Sequence, residues 1–326
     1  MTLSFAFNRG TLPFETDFYV AGAHCHLSTN SQDVLQSISR WLRSNLAGAR
    51  SFEMEIIVDS RLDAAVKRQA YFRGNGHLVF GFLPPGNFVT YDLLRKYARA
   101  VLSTKAARDD FFWRALLIPI TIGILGTTVG VVPLHCACLE RNGKGLLIAG
   151  DSGVGKSTLT AALTQRGHAL ISDDWTYFSK EQSTLVAHGL CSPIKLLPDA
   201  VQFFRELREL TPGISLNGEL AYEVDAARLV GSTVKNSSRP CSIFFLERSR
   251  DPGCHFVSCP SESIRDFFEK NAERLPDELI AAKTVRTTVI RALSTLPSWV
   301  IRTGESPQRT SEAIDQFILE GKYAIA

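Results

Sequence analysis

Apolar and polar positions alternate with period two over Phe52-Glu53-Met54-Glu55-Ile56-Ile57-Val58, which predicts a half-buried strand. Phe18-Tyr19-Val20-Ala21-Gly22 reads as another strand, and Ser31 to Leu46 carries apolar residues at helical spacing. Tyr71-Phe72 and Leu78-Val79-Phe80 flank the turn-rich Arg73-Gly74-Asn75-Gly76-His77, a hairpin pattern. A second helix is expected from Tyr91 to about Thr104. Residues 1–110 are therefore expected to form an α+β domain, in which no catalytic constellation stands out.

Ala115 to Leu134 is uncharged and long enough to span a bilayer. It also holds Pro119, Gly123, Gly126, Gly130, Pro133 and three threonines, so a buried helix and connector is expected rather than a membrane span. A strand over Val132 to Glu140, a turn at Asn142-Gly143-Lys144-Gly145 and a returning strand Leu146-Leu147-Ile148-Ala149 follow. A helix then runs to about Arg166, with Gly167 suited to its left-handed cap. His168-Ala169-Leu170-Ile171-Ser172 predicts a buried strand delivering Asp173-Asp174 at its carboxyl end. Further on, the pattern predicts a core strand at Pro240 to Glu247 and helices at Ser261 to Glu273 and Leu279 to Leu293. A last strand at Ser298 to Arg302 and a closing helix at Ser311 to Glu320, with Ser311 as N-cap, complete residues 111–326.

Between the strand Leu146–Ala149 and the next helix stands Gly150-Asp151-Ser152-Gly153-Val154-Gly155-Lys156-Ser157, followed by Thr158. This is a Walker A loop in strand–loop–helix context. Its glycines let backbone N–H groups turn inward around phosphate oxygens, and the helix N-terminus adds partial positive charge. Lys156 is expected to reach the β- and γ-phosphates of ATP and Ser157 to help hold Mg²⁺. Asp173 and Asp174 occupy the place of a Walker B acid. Adjacent strand residues point to opposite faces, so one carboxylate can serve Mg²⁺ while the other faces a phosphate acceptor. Lys195, Lys235 and Arg239 are candidates for neutralising charge on the transferring phosphoryl group.

Net charge is +3, and the balance is 13 basic to 10 acidic residues in 1–110 and 23 to 23 in the remainder. No block has the basic excess of a nucleic-acid binder. Seven cysteines without framework spacing, and a start lacking a charged and then apolar leader, fit a cytoplasmic protein. His24-Cys25-His26 lacks the second ligand pair that zinc sites usually show, so satisfied histidines are expected there.

These residues together resemble the HPr kinase/phosphorylase family. The phosphate loop, Arg166-Gly167-His168, the double Asp173-Asp174 and His135, fifteen positions ahead of Gly150, follow the family's order and spacing. The firm resemblance covers about residues 132–180. It implies an α/β P-loop kinase core related to phosphoenolpyruvate carboxykinase, which transfers phosphate from ATP to a serine hydroxyl. By position, Lys156 and Ser157 would hold nucleotide and metal, and Asp173 and Asp174 would supply Mg²⁺ ligation and the general base, in an order left open. His135 would lie near the phosphates or the acceptor.

Departures bear on the substrate. Thr158 stands where HPr-directed members carry Glu. Gly189-Leu190-Cys191-Ser192-Pro193-Ile194-Lys195 stands where the phosphorylase-associated segment is expected. The acceptor is thus open among a serine-bearing protein, a peptide such as a lasso-peptide precursor, and a free amino acid. A homo-oligomer also stays open. The alternative is a nucleotide-gated regulator without phosphotransfer, but the chain contains neither the guanine-reading Asn-Lys-x-Asp nor a switch Asp-x-x-Gly.

Overall fold

The first elements are strands β1 (Phe14–Val20) and β2 (Ala23–Thr29), helix α1 (Gln32–Trp41), and strands β3 (Phe52–Val58), β4 (Tyr71–Asn75), β5 (Leu78–Leu83), β6 (Asn87–Asp92) and β7 (Tyr97–Leu102). They come from a computed structural model that describes residues 12–42, 51–62, 70–83, 86–190, 193–215, 218–229 and 233–320. The expected end of the first helix at residues 43–46 lies outside these, as do the chain's start and Cys191-Ser192. The seven strands form one sheet in the order β1-β2-β3-β7-β6-β5-β4.

The helix expected from Tyr91 to Thr104 is instead the end of β6, a turn and β7. Asp92 Oδ1 accepts from the backbone N–H groups of Leu94 and Arg95 at 3.1 and 3.0 Å, and Lys96 sits at φ 54°. That side-chain-closed turn reverses the chain and pairs Asp92 with Tyr97. The expected hairpin at β4 and β5 is present.

Ser103 caps the short helix α2 (Thr104–Arg108) by accepting from Ala106 N–H at 3.1 Å. A π-helical turn (Phe112–Leu117), α3 (Ile118–Leu125) and a 3₁₀ turn (Gly126–Val129) then make one continuous helix, ended by Gly130 at φ 88°. By length and composition this helix, Phe112–Val129, could cross a membrane: 18 residues of mean hydropathy 1.6, of which 56% is buried in the protein. Phe112, Trp113, Leu116, Leu117, Ile122 and Leu125 join the core of the N-terminal sheet, alongside Phe18, Met54 and Tyr91. At about 1.5–3 kcal/mol for each fully buried large side chain, that packing accounts for the segment's apolarity. The same core takes Tyr177, Leu279 and Ala282 from the second half of the chain.

The second half continues with β8 (Val131–His135), β9 (Ala137–Arg141), β10 (Lys144–Ala149), α4 (Lys156–Gln165), β11 (Ala169–Ser172), β12 (Trp175–Glu181), β13 (Thr184–His188) and β14 (Ile194–Leu196). Short strands β15 (Gly213–Ile214), β16 (Leu220–Val224), β17 (Thr233–Val234) and β18 (Ser237–Ser238) lead to β19 (Pro240–Arg248) and β20 (Cys254–Ser258). Helices α5 (Ser261–Lys270) and α6 (Ile280–Leu293), strand β21 (Ser298–Thr303) and helix α7 (Pro307–Leu319) follow. A seven-stranded mixed sheet runs β17-β11-β9-β10-β19-β21-β20, with β10, β19 and β21 mutually parallel. Beside it lies the four-stranded antiparallel sheet β18-β13-β12-β8.

The single strand expected over Val132 to Glu140 is two strands, because the chain breaks at Cys136 and passes from the smaller sheet to the larger one. The last helix starts at Pro307 rather than at Ser311. Ser306 is its cap, accepting from Arg309 N–H at 3.3 Å, with proline in the first turn, and Ser311 is buried inside the helix.

A candidate phosphotransfer site between two sheets

Strand β10 ends in the phosphate loop, and α4 begins at Lys156. Gly150, Gly153 and Gly155 have φ of 142°, 78° and 104°. A Cβ at Gly150 would also lie 2.7 Å from the Leu246 carbonyl oxygen, so the neighbouring strand β19 leaves room only for glycine there. Asp151, Ser152 and Gly153 are exposed, and Val154 packs beside the core formed by Leu159 and Leu246. Lys156 folds back over this loop, its Nζ donating to the carbonyls of Gly150 and Asp151 at 3.0 and 3.1 Å. Burial lowers its pKa, against the raising effect of Asp174 and Asp173.

Strand β11 carries the chain to the same end of the sheet and releases it at Asp173-Asp174. Asp173 is buried. Its carboxylate takes the Ser157 side chain and, at 3.3 Å, the backbone N–H of Lys195, while Oδ1 has no hydrogen-bond partner. Burial first, and then the neighbouring Asp174, push its pKa up to about 7. An orphaned buried carboxylate oxygen beside a helix-start hydroxyl suits a hard cation completed by phosphate oxygens and water, so Asp173 and Ser157 fit Mg²⁺. Among the described residues no group of three or more His, Cys, Asp or Glu could hold a metal by itself.

Asp174 turns the other way, to the open surface. Its Oδ1 lies 2.8 Å from His135 Nε2, and the His135 ring stacks on Trp175 with centroids 5.6 Å apart. Partial burial opposes ionisation of Asp174, but the His135 hydrogen bond and the positive charges of His135, Lys156 and Lys195 outweigh it and hold the pKa below its ordinary value. His135 and Trp175 face each other across β8 and β12. The stacking of Trp175 on His135 is not visible in either segment alone.

The basic candidates divide. Lys195 reaches Asp173 through its backbone, and its ammonium pairs with Glu219. Lys235 pairs with Glu140 at 2.8 Å, and Arg239 stands exposed before β19, giving its carbonyl oxygen to Gly145 N–H. The side chain found against the loop is Arg248: a Cβ at Gly155 would lie 2.7 Å from its guanidinium nitrogen. The signal in the sequence was its place at the carboxyl end of β19, the parallel neighbour of β10, where α/β sheets bind ligands.

Arg166 and His168 lie away from the loop, in a network around the buried Asp315. Asp315 of α7 takes His168 Nε2 at 2.7 Å, Arg141 at 2.6 Å and Arg166 Nε at 2.6 Å. His24 and His26 both lie against Asp17, at 3.4 and 3.2 Å, as satisfied histidines.

Residues 130–196, which hold His135, the loop and both aspartates, match the HPr Serine kinase C-terminal domain. This segment is HPr-kinase-like. The chain is 28% identical over 144 residues to the HPr kinase/phosphorylase of Pediococcus pentosaceus, covering 44% of this chain and 40% of that protein. To the HPr kinase/phosphorylase of Treponema pallidum it is 35% identical over 111 residues, covering 34% of this chain and 33% of the other. The chain thus spans well under half the length of these curated relatives. The HPr(Ser) kinase/phosphatase structure from Coxiella burnetii is 16% identical and aligns over 59% of this chain and 92% of that one, with a TM-score of only 0.32. The HPr-kinase-like segment includes the divergence of the two carboxylates, one toward the loop and one toward the surface.

Proposed function

We propose that this chain is a phosphotransferase that moves the γ-phosphoryl group of ATP to a hydroxyl, a serine of a protein or peptide, in the cytoplasm. The observation that carries this reading is the opposed placement of Asp173 on Ser157 and Asp174 on His135.

Loop N–H groups and Lys156 hold the β- and γ-phosphates, for which Lys156 exchanges its contacts to the loop carbonyls. Ser157 and Asp173 would hold Mg²⁺, whose charge would offset that of the phosphates. Asp174 accepts the proton of the attacking hydroxyl; its oxygen forms the bond to the γ-phosphorus as the bond to the β–γ bridging oxygen breaks and ADP leaves. His135 orients Asp174, and Trp175 fixes the His135 ring. Asp173, holding the metal together with Ser157, would stay ionised despite its burial, and the solvent-facing Asp174 is the accessible base.

The departures at Thr158 and at residues 189–195 favour an acceptor other than HPr. The experiment is transfer from γ-labelled ATP with Mg²⁺ into lysate proteins, purified HPr and free serine. Label in one acceptor class with wild type, absent with Lys156→Ala, supports the reading. Tight ATP binding with no acceptor labelled would replace it with a nucleotide-gated regulator.

A further inference from the structure

The alternation of the short strand β14 decides where Lys195 points. Ile194 and Leu196 are fully buried in a core with Phe204, Tyr222, Val224 and the α4 residue Ala161. Adjacent strand residues face opposite ways, so the Lys195 side chain leaves that core on the other side. Its backbone stays at the site: the Lys195 N–H donates to Asp173 at 3.3 Å, and the same carboxylate takes the Ser157 side chain in the first turn of α4. Only Asp173 and Ser157 therefore separate Lys195 from the phosphate loop, and its ammonium rides on a flexible four-carbon stem with rotatable donors.

The ammonium lies near Asp174. Burial opposes ionisation of Asp174, and the Lys195 charge stands with the His135 hydrogen bond and the charges of His135 and Lys156 among the effects that overcome it. What holds the ammonium in this structure is Glu219, whose side chain is 56% exposed against 29% for Lys195. Glu219 sits just ahead of β16, its carbonyl oxygen accepting from both the N–H and the Oγ of Ser215 at 2.9 Å. The Glu219 backbone is thus tied down, and the lysine is the member of the pair with reach. An ion pair this open to water contributes little to stability, so a more highly charged anion arriving beside it can take the ammonium over. The other basic side chains are placed differently: Lys235 is engaged by Glu140, and Arg248 lies against Gly155 in the loop.

Resting on the phosphotransfer reading above, we infer that Lys195 is a ligand of the γ-phosphate alone, held in reserve by Glu219: when ATP binds, its ammonium passes from the Glu219 carboxylate to the γ-phosphate oxygens beside Asp174. Lys156 spans the β- and γ-phosphates and so serves ADP as well as ATP. Lys195 meets only the group that is transferred. A compact charge on a flexible stem, rather than a rigid guanidinium fork, suits a phosphoryl group that moves from donor to acceptor. Lys195 donates hydrogen bonds and stays protonated throughout, so the proton of the attacking hydroxyl still goes to Asp174.

Titrations of the full chain with ATP and with ADP, each with Mg²⁺, test this separately from transfer, in wild type, Lys195→Met, Lys195→Arg and Glu219→Gln. The inference expects wild type to prefer ATP, and Lys195→Met to weaken ATP about tenfold or more while ADP affinity stays within about twofold. Lys195→Arg should restore part of the preference. Glu219→Gln should keep it, because that change removes the resting partner and not the ligand. In transfer from γ-labelled ATP to lysate proteins, Lys195→Met should lower kcat by roughly 10²–10³-fold. No ATP preference in wild type, equal effects of Lys195→Met on ATP and ADP, or a preference lost alike in Lys195→Met and Glu219→Gln overturns the assignment; the last result would make the ion pair structural. An ATP preference that depends on Lys195, with no acceptor labelled by wild type, leaves the assignment standing and overturns the phosphotransfer reading alone.

Discussion

His135 and Asp174 meet at 2.8 Å although they come from different strands and lie 39 positions apart, because β8 and β12 pair so that His135 stands opposite Trp175. The pairing register, rather than any local motif, sets the geometry of this acid–histidine couple. Replacing His135 with Ala should free the Asp174 carboxylate to reorient and lower kcat by about 10²-fold while leaving ATP affinity in place, as expected for a residue that positions a proton acceptor. Steady-state kinetics with separate ATP-binding titrations check this; equal loss of kcat and ATP affinity would count against it.

Arg248 lies against Gly155 at the mouth of the loop. A guanidinium there is placed to meet charge developing on the phosphates, so Arg248→Gln should reduce kcat by roughly 10²–10³-fold. Lys235→Gln, whose ammonium pairs with Glu140 at 2.8 Å, should leave kcat within about twofold. A reversed order of these two effects would remove Arg248 from the site.

Asp315 gathers Arg141, Arg166 and His168 at the back of α4. Burial opposes its ionisation, but the hydrogen bonds from His168 and Arg166 and the positive charges of His168 and Arg141 hold its pKa down at about 2. A carboxylate with a depressed folded-state pKa contributes stability above its unfolded value near 3.8 and loses it as pH falls toward 2. The contribution is about 2 kcal/mol at neutral pH. Urea denaturation of wild type and Asp315→Asn should differ by that amount at pH 7 and converge below pH 3, and parallel curves would contradict the network's role.

Burial alone pushes the His188 pKa down to about 4 from 6.5. The neutral imidazole accepts from or donates to Ser179 between the two halves of the chain. Because the unfolded histidine binds its proton first, stability should fall as pH drops from 6.5 toward 4. His188→Gln should flatten that limb of the pH–stability curve, and an unchanged limb would assign the acid sensitivity elsewhere.

The phosphate loop, its flanking strand and helix, and the strand that delivers Asp173-Asp174 were legible in the sequence because each depends on local periodicity and on glycines at fixed offsets. The hairpin at Tyr71–Phe80 and the helices α5 and α6 were legible for the same reason. Asp92 turned an apparent helix into a β6–β7 turn and Ser306 with Pro307 moved the last helix start, while the strand expected over Val132 to Glu140 passes between two sheets at Cys136. The partition of the aspartates between the loop and His135 depends on which strands pair with which. No window of the sequence carries that information.

The most direct measurement is single-turnover transfer from enzyme-bound γ-labelled ATP into a protein or peptide acceptor, comparing wild type with Asp174→Asn. The account predicts phosphoserine from wild type and a transfer rate lowered by about 10²–10⁴-fold in the variant with unchanged ATP affinity. Transfer at the wild-type rate by Asp174→Asn would contradict the assignment of Asp174 as the group that takes the acceptor's proton.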